Sequence, residues 1–97
     1  MNPANLQLEG LYAAVASLMT ALRNKGVLST QEIDHALNAT EQKISSDPIR
    51  RTKLSDSSLD AICFPLRYLR IANQTSSEGQ ELSFSELATL VGQTKKE

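Results

Sequence analysis

The sequence is poor in the residues that most often carry chemistry. It contains no tryptophan, one cysteine (Cys63) and one histidine (His35) among its 97 residues. A single cysteine excludes an internal disulfide and a cysteine-rich metal site. One cysteine and one histidine together do not complete the four ligands of a tetrahedral zinc site. We therefore expect the protein to hold neither a metal nor another cofactor.

The chain also lacks an excess of charge of either sign. It has 10 Lys and Arg residues and 11 Asp and Glu residues, which gives a formal net charge of −1. This balance creates no overall field that would attract nucleic acid or an anionic membrane. Binding of that kind would need a local basic patch.

Long apolar runs are missing as well. The most apolar stretch, Leu11 to Leu22, is shorter than the roughly 20 residues that a membrane span needs, and Ser17 and Thr20 interrupt it. The N-terminal residues MNPANLQLEG lack the basic start and apolar run of a signal peptide. We expect a cytoplasmic protein that does not enter the membrane.

What the sequence does contain is helical periodicity, which predicts an all-α fold in a single domain over residues 1–97. We expect a small four-helix domain in which an N-terminal αα-hairpin packs on a central helix kinked by proline, with a short helix at the C-terminus. The predicted helices cover approximately residues 6–25, 30–45, 56–74 and 84–92.

The first two helices have the clearest signals. In the first, leucine or valine recurs at alternating spacings of three and four, which is typical of an amphipathic seam. Its members are Leu8, Leu11, Val15, Leu18 and Leu22. Gly26 is placed to cap this helix, and Ser29 with Glu32 forms a capping box that starts the second. Because the connection between them is short, we expect an antiparallel hairpin.

The third helix is predicted to be the centre of the core. It follows SSDPIRRTKLSDSS (residues 45–58), which is predicted to be a linker, although the Asp47-Pro48 pair could open a single helical turn. The helix is apolar around most of its circumference, and its one polar face, with Arg67 and Arg70, is predicted to face water. Pro65 predicts a kink or a split into two helices at this point.

The fourth helix carries one motif-like pattern. Leu87, Ala88, Val91 and Gly92 are similar to the first helix and turn of a DNA-binding helix-turn-helix, in which a small residue precedes the turn glycine by four positions. The resemblance implies a recognition helix after Gly92. The residues that follow, QTKKE, are too short to lie in a major groove. We favour the alternative of an ordinary terminal helix capped by Gly92.

No arrangement of residues in the sequence predicts an enzyme. Cys63 lies on the apolar side of the third helix with no histidine nearby in sequence, whereas a nucleophilic thiol needs a base or positive surroundings. We expect it to be buried and inert. The carboxylates are scattered, and no pair of them has the close, apolar setting that a general acid and base require.

The apolar surface of the first and third helices exceeds what the other two can cover. Such a surplus points to a protein–protein interface, which includes the possibility of a homodimer. We expect a non-catalytic interaction module, a small adaptor or regulator. Its contact surface is predicted either on the seam of the first helix or on a flank of the third. The two candidate sets are Leu11, Val15, Leu18 and Leu22, and Phe64, Tyr68 and Ile71.

A second prediction concerns basic residues in the linker and the third helix. If they converge, they form a patch that holds phosphate or an acidic partner, as in a nucleic-acid-associated regulator. The residues are Arg50, Arg51, Lys53, Arg67 and Arg70. The alternative is that Arg67 and Arg70 pair with Asp56, Asp60 or a glutamate of a neighbouring helix.

Overall fold

The chain forms five α-helices and no strand over the part that the computed structural model describes, which is the backbone of residues 3–95 and the side chains of residues 3–94. The helices are α1 (Pro3–Asn24), α2 (Thr30–Ser45), α3 (Pro48–Lys53), α4 (Asp56–Ser77) and α5 (Phe84–Lys95). The predicted all-α class is confirmed. The structure adds one helix to the four that the sequence predicts.

The helix termini follow the local capping chemistry of the sequence. Ser29 accepts a hydrogen bond from the Glu32 N–H while the Glu32 carboxylate accepts one from the Ser29 N–H, so the predicted capping box is present. Gly26 has φ 74°, the left-handed conformation that ends a helix and favours glycine. Ser83 and Glu86 repeat the reciprocal pair of bonds at the start of α5.

The added helix, α3, lies within the predicted linker. The Asp47 side chain accepts a hydrogen bond from the Ile49 N–H at 2.9 Å, and Pro48 occupies the first helical position, where its missing N–H costs nothing. The Asp-Pro pair thus opens a short helix, which was the alternative to a linker. Arg50, Arg51 and Lys53 lie on it, and their side chains are exposed.

Helix α4 runs unbroken through Pro65, so the predicted split into two helices does not occur. Its length, 22 residues, allows three other helices to pack along it. The contact with α2 is the most extensive, and α1 and α5 also pack on α4. The expectation that this helix is the centre of the core is therefore correct.

The predicted αα-hairpin of α1 and α2 is not how these helices pack. In the described part of the chain, each packs mainly against α4 and makes little contact with the other. The reason is that α4 offers two separate faces. Its aromatic flank takes α1, and its arginine face takes α2 through Arg67 and Arg70. The sequence predicted that this arginine face is turned to water. That prediction is wrong, because the face lies against α2 and both arginines are half-buried.

The core brings together every aromatic residue of the chain. Tyr12 from α1, Phe64 and Tyr68 from α4, and Phe84 from α5 form a cluster with ring centroids 4.9–6.4 Å apart. Aliphatic residues complete the core around them. The buried members are Met19, Ile33, Leu69, Ala72, Leu87 and Val91.

The C-terminal helix differs from the prediction at Gly92. Helix α5 continues past this glycine to Lys95, and Gly92 does not have the positive φ that a turn would require. The helix therefore does not end at Gly92. The turn of the helix-turn-helix resemblance is absent, because the backbone at this position is helical.

Candidate interaction surface

Helix α1 leaves most of its predicted seam open to solvent. Leu11 is 57% exposed and Leu18 is 65% exposed, and both lie in the middle of the helix. Leu8 (47%) and Leu22 (36%) extend the open surface toward the two ends, while Val15 is half-buried against the core. We call these five residues the α1 stripe.

The stripe is exposed because a different side of α1 faces the core. At about 100° per residue, the five stripe residues fall within an arc of about 80°. Met19 and Tyr12 lie just outside that arc, by about 20° and 40°. Both are buried against the rest of the domain. The flank with Tyr12 and Met19 thus packs in the core of the domain, and the leucines of the stripe remain exposed.

The surface around the stripe carries almost no charge. Glu9 and Arg23 are the only charged residues in the 22 residues of α1. Arg23 turns toward α4, where its Nη1 donates to Asn73 Oδ1 at 2.6 Å and its Nη2 to Ser76 Oγ at 2.9 Å. Exposed small residues flank the leucines on the other side: Ala13, Ala14, Ser17 and Ala21. An apolar patch of this kind often marks an interaction site.

The second predicted contact surface, the flank of α4, is used inside the domain. Tyr68 is only 5% exposed, and its ring lies 4.9 Å from that of Tyr12 and 5.3 Å from that of Phe84. Phe64 and Ile71 are half-buried against the same core. Tyr68 is therefore not open to a partner, because α1 and α5 already cover it.

The predicted basic patch is largely neutralised by ion pairs. Arg67 Nε donates to the Glu41 carboxylate at 2.7 Å, and its Nη1 lies 3.4 Å from Asp60. Arg70 donates hydrogen bonds to both carboxylate oxygens of Asp34, from Nε at 2.8 Å and from Nη2 at 3.1 Å. The alternative, pairing with Asp60 or a glutamate of a neighbouring helix, is confirmed for Arg67.

These ion pairs change the charge equilibria of their members. The hydrogen bond from Arg70 holds the pKa of Asp34 below its ordinary value, against the opposing effect of burial. The hydrogen bond to Glu41 is the largest cause of the raised pKa of Arg67. Of the remaining basic residues, Arg50 lies 3.4 Å from Asp47, while Arg51 and Lys53 are exposed on α3. Of the five residues of the predicted patch, Arg51 and Lys53 could meet a phosphate without first breaking one of these ion pairs.

Sequence reasoning overlooked the acidic side of this interface, on α2. Asp34, Asn38 and Glu41 follow one another at spacings of four and three, so they share one face of the helix. Arg67 and Arg70, three residues apart on α4, meet that face, and Arg70 Nη1 also donates to Asn38 Oδ1 at 3.1 Å. The two complementary spacings were the signal that could have paired α2 with α4.

The cysteine and the histidine lie apart in the structure. Cys63 is 1% exposed, with its Sγ 3.5 Å from Ser45 Oγ, so the predicted burial is confirmed. His35 is exposed on α2. Among residues 3–94, no three His, Cys, Asp or Glu side chains gather into a group that could hold a metal ion.

Two further findings bear on the surface of the molecule. Within the described helices, none combines the length and the apolar character needed to cross a membrane. No protein-family model, curated protein or solved structure matches this chain. Of the seven large apolar residues that are exposed in the described part of the chain, four belong to the α1 stripe.

Proposed function

We propose that this protein is a non-catalytic interaction module, a small cytoplasmic adaptor or regulator, that self-associates through the α1 stripe. The observation that carries the proposal is the exposure of Leu11 and Leu18 in the middle of a 22-residue helix. Leucines buried by a partner at a regular three-and-four spacing are the usual means by which one helix binds another.

The size of the stripe supports a weak, reversible dimer. The exposed fractions of its four leucines amount to about two complete leucine side chains per protomer. Burying the equivalent of four such side chains gains roughly 6–12 kcal/mol at about 1.5–3 kcal/mol each. Association itself costs an estimated 4–15 kcal/mol. The largest net gain is therefore about 8 kcal/mol, and we expect a dissociation constant in the micromolar range.

The charge of the stripe favours a second copy over a charged partner. No acidic or basic side chain belongs to the stripe, so two copies meet without like-charge repulsion. A partner recognised by its charge would need an opposite charge here, and α1 presents none on this side. In a two-fold dimer the same patch serves both subunits, which the near-symmetric spacing of the stripe about Val15 allows.

Sedimentation equilibrium across a range of protein concentrations tests the proposal. The Leu18→Glu variant places a charge at the most exposed stripe position and should weaken association by at least about 100-fold, since two leucines are lost and two charges are placed in each dimer interface. Ile49→Glu is the matched control, because Ile49 is 68% exposed but lies on α3. A wild-type protein that remains monomeric at high micromolar concentration would contradict self-association.

The alternative of nucleic-acid binding has less support, because Arg67 and Arg70 are already paired with carboxylates. A titration with DNA and RNA at two salt concentrations separates the two functions. Phosphate-driven binding falls steeply with salt through the release of counterions, whereas apolar association changes little.

A further inference from the structure

A cleft opens beside the aromatic cluster, at the N-terminal part of α1. Its volume is about 260 Å³, and three aromatic rings line it together with the side chains of one acid, one amide and one leucine. The lining residues are Asn5, Leu8, Glu9, Tyr12, Phe64 and Phe84. The cleft is thus walled by rings from three different helices, α1, α4 and α5.

The rings are arranged around Tyr12. Its ring centroid lies 6.4 Å from that of Phe64 and 5.8 Å from that of Phe84, with interplanar angles of 28° and 31°. Phe64 and Phe84 are half-buried, so each keeps part of its ring surface toward solvent. The faces of aromatic rings carry partial negative charge and attract cations that lie within about 6 Å of the ring centre.

A carboxylate stands at the same cleft. Glu9 precedes Tyr12 by three residues on α1, which places both on neighbouring positions of one helix face. Among the described residues, no lysine, arginine or histidine lies within ion-pair distance of Glu9. Burial raises the pKa of Tyr68, and the negative charge of Glu9 raises it further, so the field of this carboxylate reaches into the aromatic cluster.

We propose that this cleft binds an organic cation with an alkylated ammonium head, held by the exposed ring surfaces of Phe64 and Phe84 and by the Glu9 carboxylate, with the largely buried Tyr12 ring as part of the cleft wall. An alkylated ammonium fits because its methyl groups pack on the rings while its charge is spread and weakly hydrated. The Glu9 carboxylate at the edge of the cleft favours a cation over a neutral ligand and repels an anion. The same head group occurs on free quaternary ammonium compounds and on methylated lysine in a peptide.

The first test compares choline with 3,3-dimethylbutan-1-ol, a neutral molecule of the same shape. Binding is followed by NMR chemical shifts of the amides of residues 5–12, 64 and 84. We expect choline to bind at least about tenfold more tightly than the neutral analogue, because only the cation gains from the rings and the carboxylate. Equal affinity for the two would overturn the proposal.

Substitutions locate the site. Glu9→Gln should weaken choline binding about two- to fivefold, as expected for an exposed ion pair, and because Glu9 is exposed the variant should fold normally. Glu81→Gln is the matched control, since Glu81 is equally an exposed carboxylate but does not line the cleft. If Glu9→Gln and Glu81→Gln bind choline as the wild type does, the proposed site is wrong.

Two further measurements identify the source of the ligand and test whether the cleft needs the α1 stripe. A peptide with trimethyl-lysine that binds more tightly than choline assigns the peptide source, and the reverse order assigns a free compound. Because Leu8 belongs to both the cleft and the α1 stripe, the titration is repeated on Leu18→Glu. Retained binding in this variant supports a cleft that acts within one protomer, and loss of binding there contradicts it.

Discussion

At the scale of single residues, Asn73 joins three helices through its hydrogen bonds. It lies on α4, is 1% exposed, and accepts a hydrogen bond from Arg23 of α1 at 2.6 Å. Its amide nitrogen donates to the backbone carbonyl of Thr30, at the start of α2, at 3.0 Å. One side chain therefore joins the end of α1 and the beginning of α2 to the central helix.

Replacing Asn73 with alanine should destabilise the protein by about 2–3 kcal/mol. The substitution removes the acceptor of an Arg23 N–H and a donor to the Thr30 carbonyl, and losses of this kind cost about 1–3 kcal/mol, more for a charged group. Urea unfolding followed by circular dichroism measures the change. Gln74→Ala, at the next and exposed position, should change stability by less than about 0.5 kcal/mol. Equal effects of the two substitutions would show that the Asn73 network contributes little.

At the scale of helices, the α2–α4 interface joins two helices through charge as well as through apolar contact. Arg70 holds both oxygens of Asp34, and its hydrogen bond is the largest cause of the lowered pKa of Asp34. The charges of Arg70 and His35 act in the same direction, and burial opposes them. The interface is thus tied to the ionised form of Asp34.

The pH dependence of this pair has a definite sign. Because the pKa of Asp34 is lower in the folded protein than its unfolded value of about 3.9, its contribution is complete above about pH 5 and is lost as the pH falls through the folded pKa. Asp34→Asn should cost roughly 0.5 kcal/mol near pH 7, since the pair is partly exposed, and less at about pH 3, where the carboxylate begins to be protonated. Urea unfolding at both pH values checks this. In an Arg70→Gln background the same substitution should show no such difference, and a difference that persists there would assign the effect to another group.

Helix boundaries could be predicted from the sequence where they depend on residues close together in the chain. The Ser29–Glu32 capping box and Gly26 act within a few residues, so their pattern is visible in the chain itself. Gly92 shows the limit of such local patterns. The glycine predicted a cap, but α5 continues past it, with Val91 buried in the core and Thr94 Oγ1 donating to the Val91 carbonyl.

The packing of one helix on another could not be predicted in the same way, because it depends on which helix faces contact each other in the folded protein. Arg67 and Arg70 form a polar face whether they look into water or at α2, and only the matching acids Asp34 and Glu41 decide between the two. The α1 seam is a similar case. Its spacing predicted an apolar face, but the neighbouring flank lies in the core, because Tyr12 packs on the rings of Tyr68 and Phe84 and Met19 joins the same buried cluster.

At the scale of the whole molecule, α1 is held by one side and open on the other. Its buried side contributes Tyr12 and Met19 to the core, while Leu11 and Leu18 remain in water. An exposed leucine contributes little to the stability of a monomer, but it contributes to any assembly that covers it. Stability and association are therefore separable in this protein by substitution on the stripe.

This separation predicts a concentration-dependent melting temperature. Above the dissociation constant, a dimer of folded chains is favoured by mass action, so the Tm of the wild type should rise by roughly 3–5 °C for each tenfold increase in protein concentration. Leu18→Glu should melt at one temperature throughout that range. At the lowest concentration it should match the wild type to within about 0.5 kcal/mol, because Leu18 is 65% exposed in the single chain. Differential scanning fluorimetry over three decades of concentration makes the measurement. A variant less stable at every concentration would place Leu18 in the fold of the monomer, and a flat wild-type Tm would remove the stripe as a self-association surface.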